Sequence, residues 1–266
     1  MTDIRSQGSF GSCVAFAVAA ALEIVPNSVG ITQDEAERFI WYNSKDRDGQ
    51  GSPDIDRGTY IHTAIDVVKY LGSCWEGQCR YAPNPLARPS PEAYAAASNM
   101  KVTQALRLAE KSIDGLRGML SIGWPVIVGF EIFGSGAERD YLFGEYTKQT
   151  GIMKMPPTPL RPVTAGHAAL FVGYDDNSKR FKFKNSWGPT YGDRGYYYMP
   201  YDYVQYTSDA WVLWQQNIHL PVITAGVSAT ILGAAGYTDV EGIKINDGVQ
   251  PLDAPNQPTL TSQSKT

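Results

Sequence analysis

One cysteine in a turn rich in glycine and serine is the first residue with a chemistry of its own. Cys13 follows Gly11 and Ser12 and begins an alanine-rich apolar segment, which predicts a buried helix to about Val25. A thiol at a helix N-terminus lies near unpaired backbone N–H groups and the positive end of the helix dipole, which favour its thiolate. Gln7 can direct its side-chain amide toward the same thiol. This pattern suits acyl transfer, although such a cysteine is also a common core residue.

A histidine and an asparagine supply the remaining parts of such a site. His167 stands at the head of an apolar strand, and Asn185 ends a following strand of alternating character. Residues 175–178 are typical of a turn, so the two strands are predicted to form a hairpin that holds His167 and Asn185 at nearly paired ends. Nucleophilic catalysis needs a base within reach of the thiol and a third group that orients the base. Cys13, His167 and Asn185 supply these three parts.

Three separated motifs resemble those of the papain-like cysteine peptidases. They are Gln-Gly-Ser-Phe-Gly-Ser-Cys-Val-Ala-Phe, Gly-His-Ala before an apolar strand, and Asn-Ser-Trp-Gly followed by Gly192 and Gly195-Tyr196. The resemblance extends from Gln7 to about Trp214, and the three motifs in this order are highly specific. It implies an α+β, papain-like two-lobed fold, in which a helical lobe packs against a β-barrel-like lobe with the active site in the cleft between them.

The resemblance implies a role for each matching residue. Cys13 would be the nucleophile, present as a thiolate paired with the imidazolium of His167. Asn185 would orient the imidazole, the indole of Trp187 would shield that contact from water, and Gln7 would contribute to the oxyanion hole beside the backbone N–H of Cys13. The implied activity is that of a cysteine peptidase. It would hydrolyse peptide bonds in peptides or unfolded proteins through an acyl-enzyme thioester, as an endopeptidase. No cofactor and no metal are implied.

Four further residues are predicted to contact substrate together with Trp187. Gly58 lies before a predicted helix and could let a peptide backbone approach, although it could equally be only the end of a loop. Tyr60 is predicted to form one wall of the main specificity pocket. Gly166 and Ala168 flank the histidine and are predicted to line the cleft floor.

The chain departs from the family pattern at several places. Phe10 replaces a cysteine that usually forms a disulfide, and Val14 replaces an aromatic residue. Only six residues precede Gln7, which predicts a bacterial- or viral-type member lacking a propeptide, unless the encoded start lies further upstream. These departures leave an alternative open: a catalytically silent, papain-like binding module. A transglutaminase-like acyl transferase is disfavoured because its third member is usually Asp, whereas Asn185 stands here.

The spacing of the motifs predicts an insertion. His167 follows Cys13 by 154 residues, more than the roughly 130–150 typical of the family. Residues 134–162, rich in glycine and proline, are the predicted insertion.

The predicted organisation is a helical lobe over 1–105, a β-rich lobe over 106–218 and a partly disordered C-terminal extension over 219–266. Helices are predicted near 13–25, 32–42, 59–71 and 112–121, and strands near 125–132, 167–174, 180–185, 195–199 and 210–215.

Composition narrows the range of partners. A net charge of −4 and a pI near 5.4 disfavour nucleic acid and anionic membranes as partners, and a monomer is expected.

Cys74 and Cys79 are equally compatible with a small disulfide loop and with two reduced thiols. Residues 220–236 are uncharged but short and rich in glycine for a bilayer crossing, so they predict a strap or loose appendage. With no signal peptide in this sequence, a cytoplasmic location is expected unless the start is truncated.

Overall fold

The computed structural model describes residues 2–27, 34–109 and 111–214, together with three short strands further along the chain. The helices are α1 (Cys13–Asn27), α2 (Glu37–Arg47), α3 (Ile61–Tyr70), α4 (Pro91–Ala97), α5 (Ile113–Ser121), α6 (Asp140–Phe143) and α7 (Glu145–Thr150), with 3-10 turns at Gly136–Arg139 and Tyr201–Tyr206. The strands are β1 (Gln104–Arg107), β2 (Val126–Phe133), β3 (Val163–Asp175), β4 (Arg180–Lys184), β5 (Tyr196–Pro200), β6 (Thr207–Trp214), β7 (Asp239–Val240), β8 (Ile243–Lys244) and β9 (Gln250–Pro251).

A seven-stranded antiparallel sheet forms the centre of the fold, in the order β5-β4-β3-β2-β6-β1-β9. Alternate residues of its strands enter two different cores, as the two-residue period of a strand requires. One core receives Val126, Val128, Phe130, Ala169, Phe171, Ala210 and Val212. The other receives Ile127, Ala168, Leu170, Trp211 and Leu213. Helices on an antiparallel sheet confirm the predicted α+β class.

Helix α1 lies against the second of these sheet faces and begins at Cys13, as predicted. Its alanine residues are nearly all buried, and the small side chains let the helix axis approach β3 closely. The nucleophile candidate is therefore fixed at the point where the helix meets the sheet.

The β3–β4 hairpin forms as predicted and pairs Asp175 with Arg180 across its turn. β3 is longer than predicted, because residues from Val163 onward pair with β2, and His167 pairs with Phe130. His167 therefore lies within a strand rather than at its head. A register shift between Phe171 and Gly173 adjusts the hairpin before it reaches the site.

The predicted start of the second helix is wrong. α2 begins at Glu37, and its N-cap residue Ala36 supplies no side-chain cap. Thr32 and Glu35 have the spacing of a capping box at the start of the predicted helix. Glu35 instead pairs as a β-bridge with Trp75 and accepts a hydrogen bond from the Ser73 hydroxyl. A buried tertiary partner has outweighed the local capping pattern. Thr32 lies outside the described residues.

The remaining boundaries agree with the sequence to within a few residues. Ser112 caps α5 by accepting a hydrogen bond from the backbone N–H of Gly115. The predicted insertion, residues 134–162, contains the first 3-10 turn, α6 and α7. Strand β1 crosses the predicted lobe boundary between residues 105 and 106, and the division into lobes stays a prediction. Residues 220–236 and 252–266 lie outside the described residues.

Within the described part of the chain, no helix is both long and apolar enough to cross a membrane.

Candidate active site

Cys13 is the first residue of α1 and is partly buried. Burial raises the pKa of its thiol, and three backbone N–H groups, those of Ala168, Val14 and Cys13 itself, oppose this by hydrogen bonding to the sulfur. The amide of Ala168 places the sulfur beside the main chain that follows His167. The structure therefore brings together the thiol and the histidine strand, which are 154 residues apart in sequence.

The His167 ring is oriented by Asn185. The Nε2 atom of His167 lies 2.9 Å from Oδ1 of Asn185, and the backbone N–H of Ser186 donates to the same Oδ1 at 2.9 Å. An amide oxygen can only accept, so Nε2 must carry a proton and donate it. In a neutral imidazole this leaves Nδ1 unprotonated, and Nδ1 is the ring nitrogen nearer the main chain. A neutral His167 therefore keeps its lone pair on Nδ1, the nitrogen that does not contact Asn185.

Aromatic rings exclude water from the histidine. The ring of Trp187 lies 5.0 Å from that of His167, and the ring of Phe130 meets it edge-on at 5.4 Å. Phe143, from α6 in the predicted insertion, stacks on Trp187 at 5.2 Å. The shielding role predicted for Trp187 fits this geometry, and Phe143 extends the aromatic cover.

Burial favours the uncharged form of both the Cys13 thiol and the His167 imidazole when each group is considered separately. Burial lowers the pKa of His167 to about 4, with the Asn185 hydrogen bond acting in the opposite direction. Burial also raises the pKa of the Cys13 thiol. A thiolate–imidazolium pair can form here only if the attraction between its two charges exceeds both desolvation costs.

Hydrogen bonds from both its main chain and its side chain hold Gln7 in place. Its backbone N–H donates to the carbonyl of Ser186 at 2.8 Å, and its carbonyl accepts from the Tyr81 hydroxyl at 2.9 Å. Its side-chain Oε1 accepts from the Ser186 hydroxyl, and Nε2 donates to the carbonyl of Phe10 at 2.6 Å. One N–H of Nε2 remains beyond these contacts, so the side chain can offer a fixed donor to an oxyanion.

Three residues that the sequence did not single out support this arrangement. Ser186 holds both Gln7 and the Asn185 amide, and it lies within the Asn-Ser-Trp-Gly motif. Tyr81 bonds Gln7 and also lies 2.7 Å from the Ser12 hydroxyl, but no local pattern marks it. Gly11 leaves little room for a side chain, because an added Cβ would lie 3.0 Å from the backbone of Arg57 and Gly58.

The two departures from the family pattern are both accommodated by packing. The ring of Phe10 lies 5.9 Å from that of Trp41 and 6.5 Å from that of Tyr81. An aromatic cluster therefore packs at the position where the family usually has a disulfide-forming cysteine. Val14 is buried in the core beneath α1. Neither residue displaces Cys13 from the helix N-terminus.

The predicted substrate residues occupy different environments. Gly58 is exposed, and nothing lies within 4 Å of the place where its Cβ would be. Tyr60 is 50% exposed at the N-cap of α3, and Gly166 is exposed beside the histidine. The methyl group of Ala168 is buried against α1, so Ala168 reaches the site only through its backbone amide.

A buried cluster of charges lies behind the site. Lys184, next to Asn185 in the chain, lies 3.7 Å from Glu23 of α1. Arg5 contacts Glu37 at 3.2 Å and Glu76 at 2.9 Å. A small cavity lined by α1 and β3 borders both the charged cluster, at Glu37 and Lys184, and the candidate site, at Asn185. Burial raises the pKa of Glu37 to about 8, although Arg5 acts to lower it.

The fold and this site together define a hydrolase of the thiol-dependent class, and comparison with known proteins agrees. The model of the papain family cysteine protease matches residues 1–210. An uncharacterised peptidase C1-like protein of Acanthamoeba polyphaga mimivirus is 33% identical over 231 residues, covering 82% of this chain and 70% of the viral protein. The chain belongs to the papain family of cysteine proteases.

Further relatives support this family at greater distance. The cysteine protease Amb a 11.0101 of Ambrosia artemisiifolia is 27% identical over 207 residues, which cover 75% of this chain and 47% of the plant protein. The chain thus spans about half the length of that relative. The crystal structure of xylellain, a cysteine protease from Xylella fastidiosa, has a TM-score of 0.70 at 29% identity and covers 80% of this chain and 83% of that one.

These findings confirm the predicted family, the papain-like fold and cysteine peptidase activity in general terms. They also make peptides or proteins the substrate class. The roles of individual residues stay predictions, which the geometry supports.

Proposed function

We propose that the chain is an endopeptidase that cleaves peptide bonds through a Cys13 thiolate, a His167 imidazolium and an acyl-enzyme thioester. The observation that carries this proposal is the convergence of Gln7, Cys13, His167 and Asn185 at the N-terminus of α1, with Nε2 of His167 bound 2.9 Å from Asn185.

The geometry supports a specific sequence of steps. The Cys13 sulfur attacks the substrate carbonyl carbon, and the carbonyl oxygen becomes an oxyanion. Gln7 Nε2 and the Cys13 backbone N–H, which has no carbonyl partner within the helix because it lies at its start, stabilise this charge. His167 then passes a proton from Nδ1 to the leaving amine as the C–N bond breaks. Water, deprotonated by Nδ1, attacks the thioester, and the sulfur leaves as the acid product forms.

The exposed backbone near the site supports internal cleavage. Gly58 and Gly166 are both exposed, and they belong to different parts of the fold, the loop before α3 and strand β3. An extended peptide could pair with backbone at either place. A peptidase restricted to chain ends needs a group that blocks one side of the substrate.

Incubation of the purified chain with an unfolded protein and with small apolar-arginyl peptide amides tests this function. Under reducing conditions the parent should release internal fragments, identified by mass spectrometry, and Cys13→Ala should release none. Cleavage that removes only terminal residues would leave a cysteine peptidase but refute the endopeptidase assignment. Equal behaviour of parent and Cys13→Ala would refute catalysis itself.

One observation favours the alternative of a catalytically silent binding module. Burial raises the pKa of Cys13 and lowers that of His167 to about 4, which favours the uncharged pair. Alkylation with iodoacetamide at mildly acidic pH separates the two functions. A preformed ion pair predicts that Cys13 reacts far faster than the buried Cys74 and Cys79. A rate at Cys13 that only climbs toward alkaline pH, like that of an ordinary thiol, would support the silent module.

A further inference from the structure

Cys74 and Cys79 form a pair of thiols that the catalytic mechanism does not use. Both are free cysteines, both are fully buried, and their side chains are hydrogen-bonded to each other. The sequence left a disulfide and two thiols equally open, and the structure contains the thiols. Their contact places two oxidisable sulfurs side by side in one short loop.

A tight turn brings the two cysteines together. The backbone N–H of Gln78 donates to the carbonyl of Trp75 at 2.9 Å, and that of Cys79 donates to Glu76 at 3.2 Å. The carbonyl of Cys74 is fixed by the N–H of Ala36 at 2.8 Å. Because these bonds already close the loop, a covalent link between the sulfurs would order little additional backbone.

A guanidinium prepares one sulfur for reaction. Nε of Arg38, on α2, donates to Sγ of Cys79 at 3.2 Å, and another nitrogen of Arg38 lies 3.3 Å from the carbonyl of Asn84. The hydrogen bond from Cys74 and the Arg38 guanidinium lower the pKa of Cys79 against the effect of burial. The same pairing and burial raise the pKa of Cys74. The two thiols thus differ, as an attacking and a resolving cysteine do.

A small oxidant has a short path to the pair. Trp75 is 51% exposed, and Gly77 and Gln78 are exposed as well, so the sulfurs lie directly beneath a surface turn. Hydrogen peroxide is close to water in size and needs only a local opening of this turn.

We propose that Cys74 and Cys79 are a reversible redox site, oxidised by hydrogen peroxide to an intrachain disulfide through initial attack by Cys79. The Cys79 thiolate attacks one oxygen of hydrogen peroxide, the O–O bond breaks, and sulfenic acid and hydroxide form. The hydroxide takes back from solvent the proton that the Cys79 thiol released, which gives one water. The Cys74 sulfur then attacks the Cys79 sulfur, the S–O bond breaks, and a second water leaves with the Cys74 proton. Two thiols and one peroxide thus give one disulfide and two waters.

The test uses the full chain carrying Cys13→Ala, which leaves Cys74 and Cys79 as its two cysteines and does not depend on peptidase activity. After brief treatment with hydrogen peroxide, remaining thiols are alkylated and the chain is digested with trypsin. Both cysteines fall in one peptide, residues 70–80, between Lys69 and Arg80. That peptide should lose two hydrogen atoms in mass, resist alkylation, and recover both thiols after reduction.

Two matched variants test the part played by Arg38. Arg38→Gln should slow disulfide formation by about tenfold or more, because the thiolate loses its charged donor. Arg47→Gln removes the same charge from the same helix, where Arg47 pairs with Asp66 instead, and should oxidise at the parent rate. Equal rates for Arg38→Gln and the parent would overturn the role of Arg38. Unreacted thiols, separate oxidation of the two sulfurs, or links between chains would overturn the site.

Discussion

The residues predicted to perform the chemistry and those predicted to meet the substrate differ in how firmly the fold holds them. Gln7 and His167 are each 7% exposed, and both make hydrogen bonds to the Asn185–Ser186 segment. Tyr60 is 50% exposed, and Gly58 has open space before it. The first group is fixed from several sides, whereas the second projects from a loop.

This difference follows from what each group must do. Proton transfer and oxyanion binding lose efficiency when atoms shift by about 1 Å, so their donors need support on every side. Contacts with a peptide require surface that the fold has left uncovered. Changes in the fixed group should therefore lower kcat, and changes in the exposed group should act mainly on KM.

The largest effect short of removing the nucleophile is expected at Gln7. Gln7→Ala removes the side-chain oxyanion donor and should lower kcat by about 10²–10³-fold with little change in KM. Steady-state kinetics on a peptide amide measure both constants. Gln149→Ala, an exposed glutamine that bonds Glu145 on α7, is the control and should retain parent kinetics. A Gln7→Ala enzyme with unchanged kcat would remove Gln7 from the oxyanion hole.

A smaller loss is expected when the support of Gln7 is removed. Tyr81→Phe deletes the hydroxyl that donates to the Gln7 carbonyl at 2.9 Å and meets Ser12 at 2.7 Å. We expect a loss of about 1–3 kcal/mol in the free energy of unfolding and a drop in kcat of roughly tenfold. Tyr94→Phe is the matched control, because it deletes a hydroxyl bound to Asn43 at 2.8 Å.

The Tyr94 control separates stability from positioning. Chemical unfolding and kinetics on the same samples should show similar destabilisation in both variants but a lower kcat in Tyr81→Phe alone. Equal kcat values in the two variants would mean that Gln7 does not need its tyrosine, and the contrast between fixed and exposed groups would weaken.

The buried charges behind the site predict how stability depends on pH. Burial raises the pKa of Glu37 to about 8, above its ordinary value of 4.5. Between these values the folded state binds more protons than the unfolded state, so the free energy of unfolding falls as pH rises, by at most about 1.4 kcal/mol per pH unit. Glu35, whose pKa burial raises to about 7, acts in the same direction.

Urea unfolding at several pH values tests this dependence. Glu37→Gln removes one titrating group, so its stability should fall less steeply with pH than that of the parent. Glu145→Gln, at an exposed glutamate, should follow the parent curve. Parallel curves for the parent and Glu37→Gln would show that Arg5, 3.2 Å away, already keeps Glu37 ionised.

Local signals explain what the sequence predicted correctly. Cys13 stands where a turn meets an apolar helical segment, and the hairpin turn at 175–178 marks both of its strands. These elements carry the residues predicted to be catalytic, so three short motifs were enough to predict the candidate site. The helix predicted near 112–121 is also present, as α5.

Long-range contacts explain what the sequence could not predict. β1 has only the residues Gln-Ala-Leu-Arg, and its extended form depends on pairing with β6, a hundred residues later. Glu35 lies outside α2, although the sequence predicted it to be helical, and it accepts a buried hydrogen bond from the distant Ser73 hydroxyl. Tyr81 reaches Gln7 across 74 positions of sequence, and no pattern near either residue indicates that contact.

The smallest effect is expected in the exposed group. Tyr60 stacks on His62 at 5.3 Å, and its hydroxyl accepts from Gln50 at 2.6 Å, so few contacts hold it and little stability depends on it. Tyr60→Ala should raise KM by a few-fold, about 1 kcal/mol, for substrates with an apolar side chain before the cleaved bond, and leave kcat unchanged. Tyr70→Ala, at a 47% exposed tyrosine on the other end of α3, is the control. A fall in kcat with Tyr60→Ala would place the loop before α3 among the residues that hold the catalytic geometry, because uniform binding alone changes only KM.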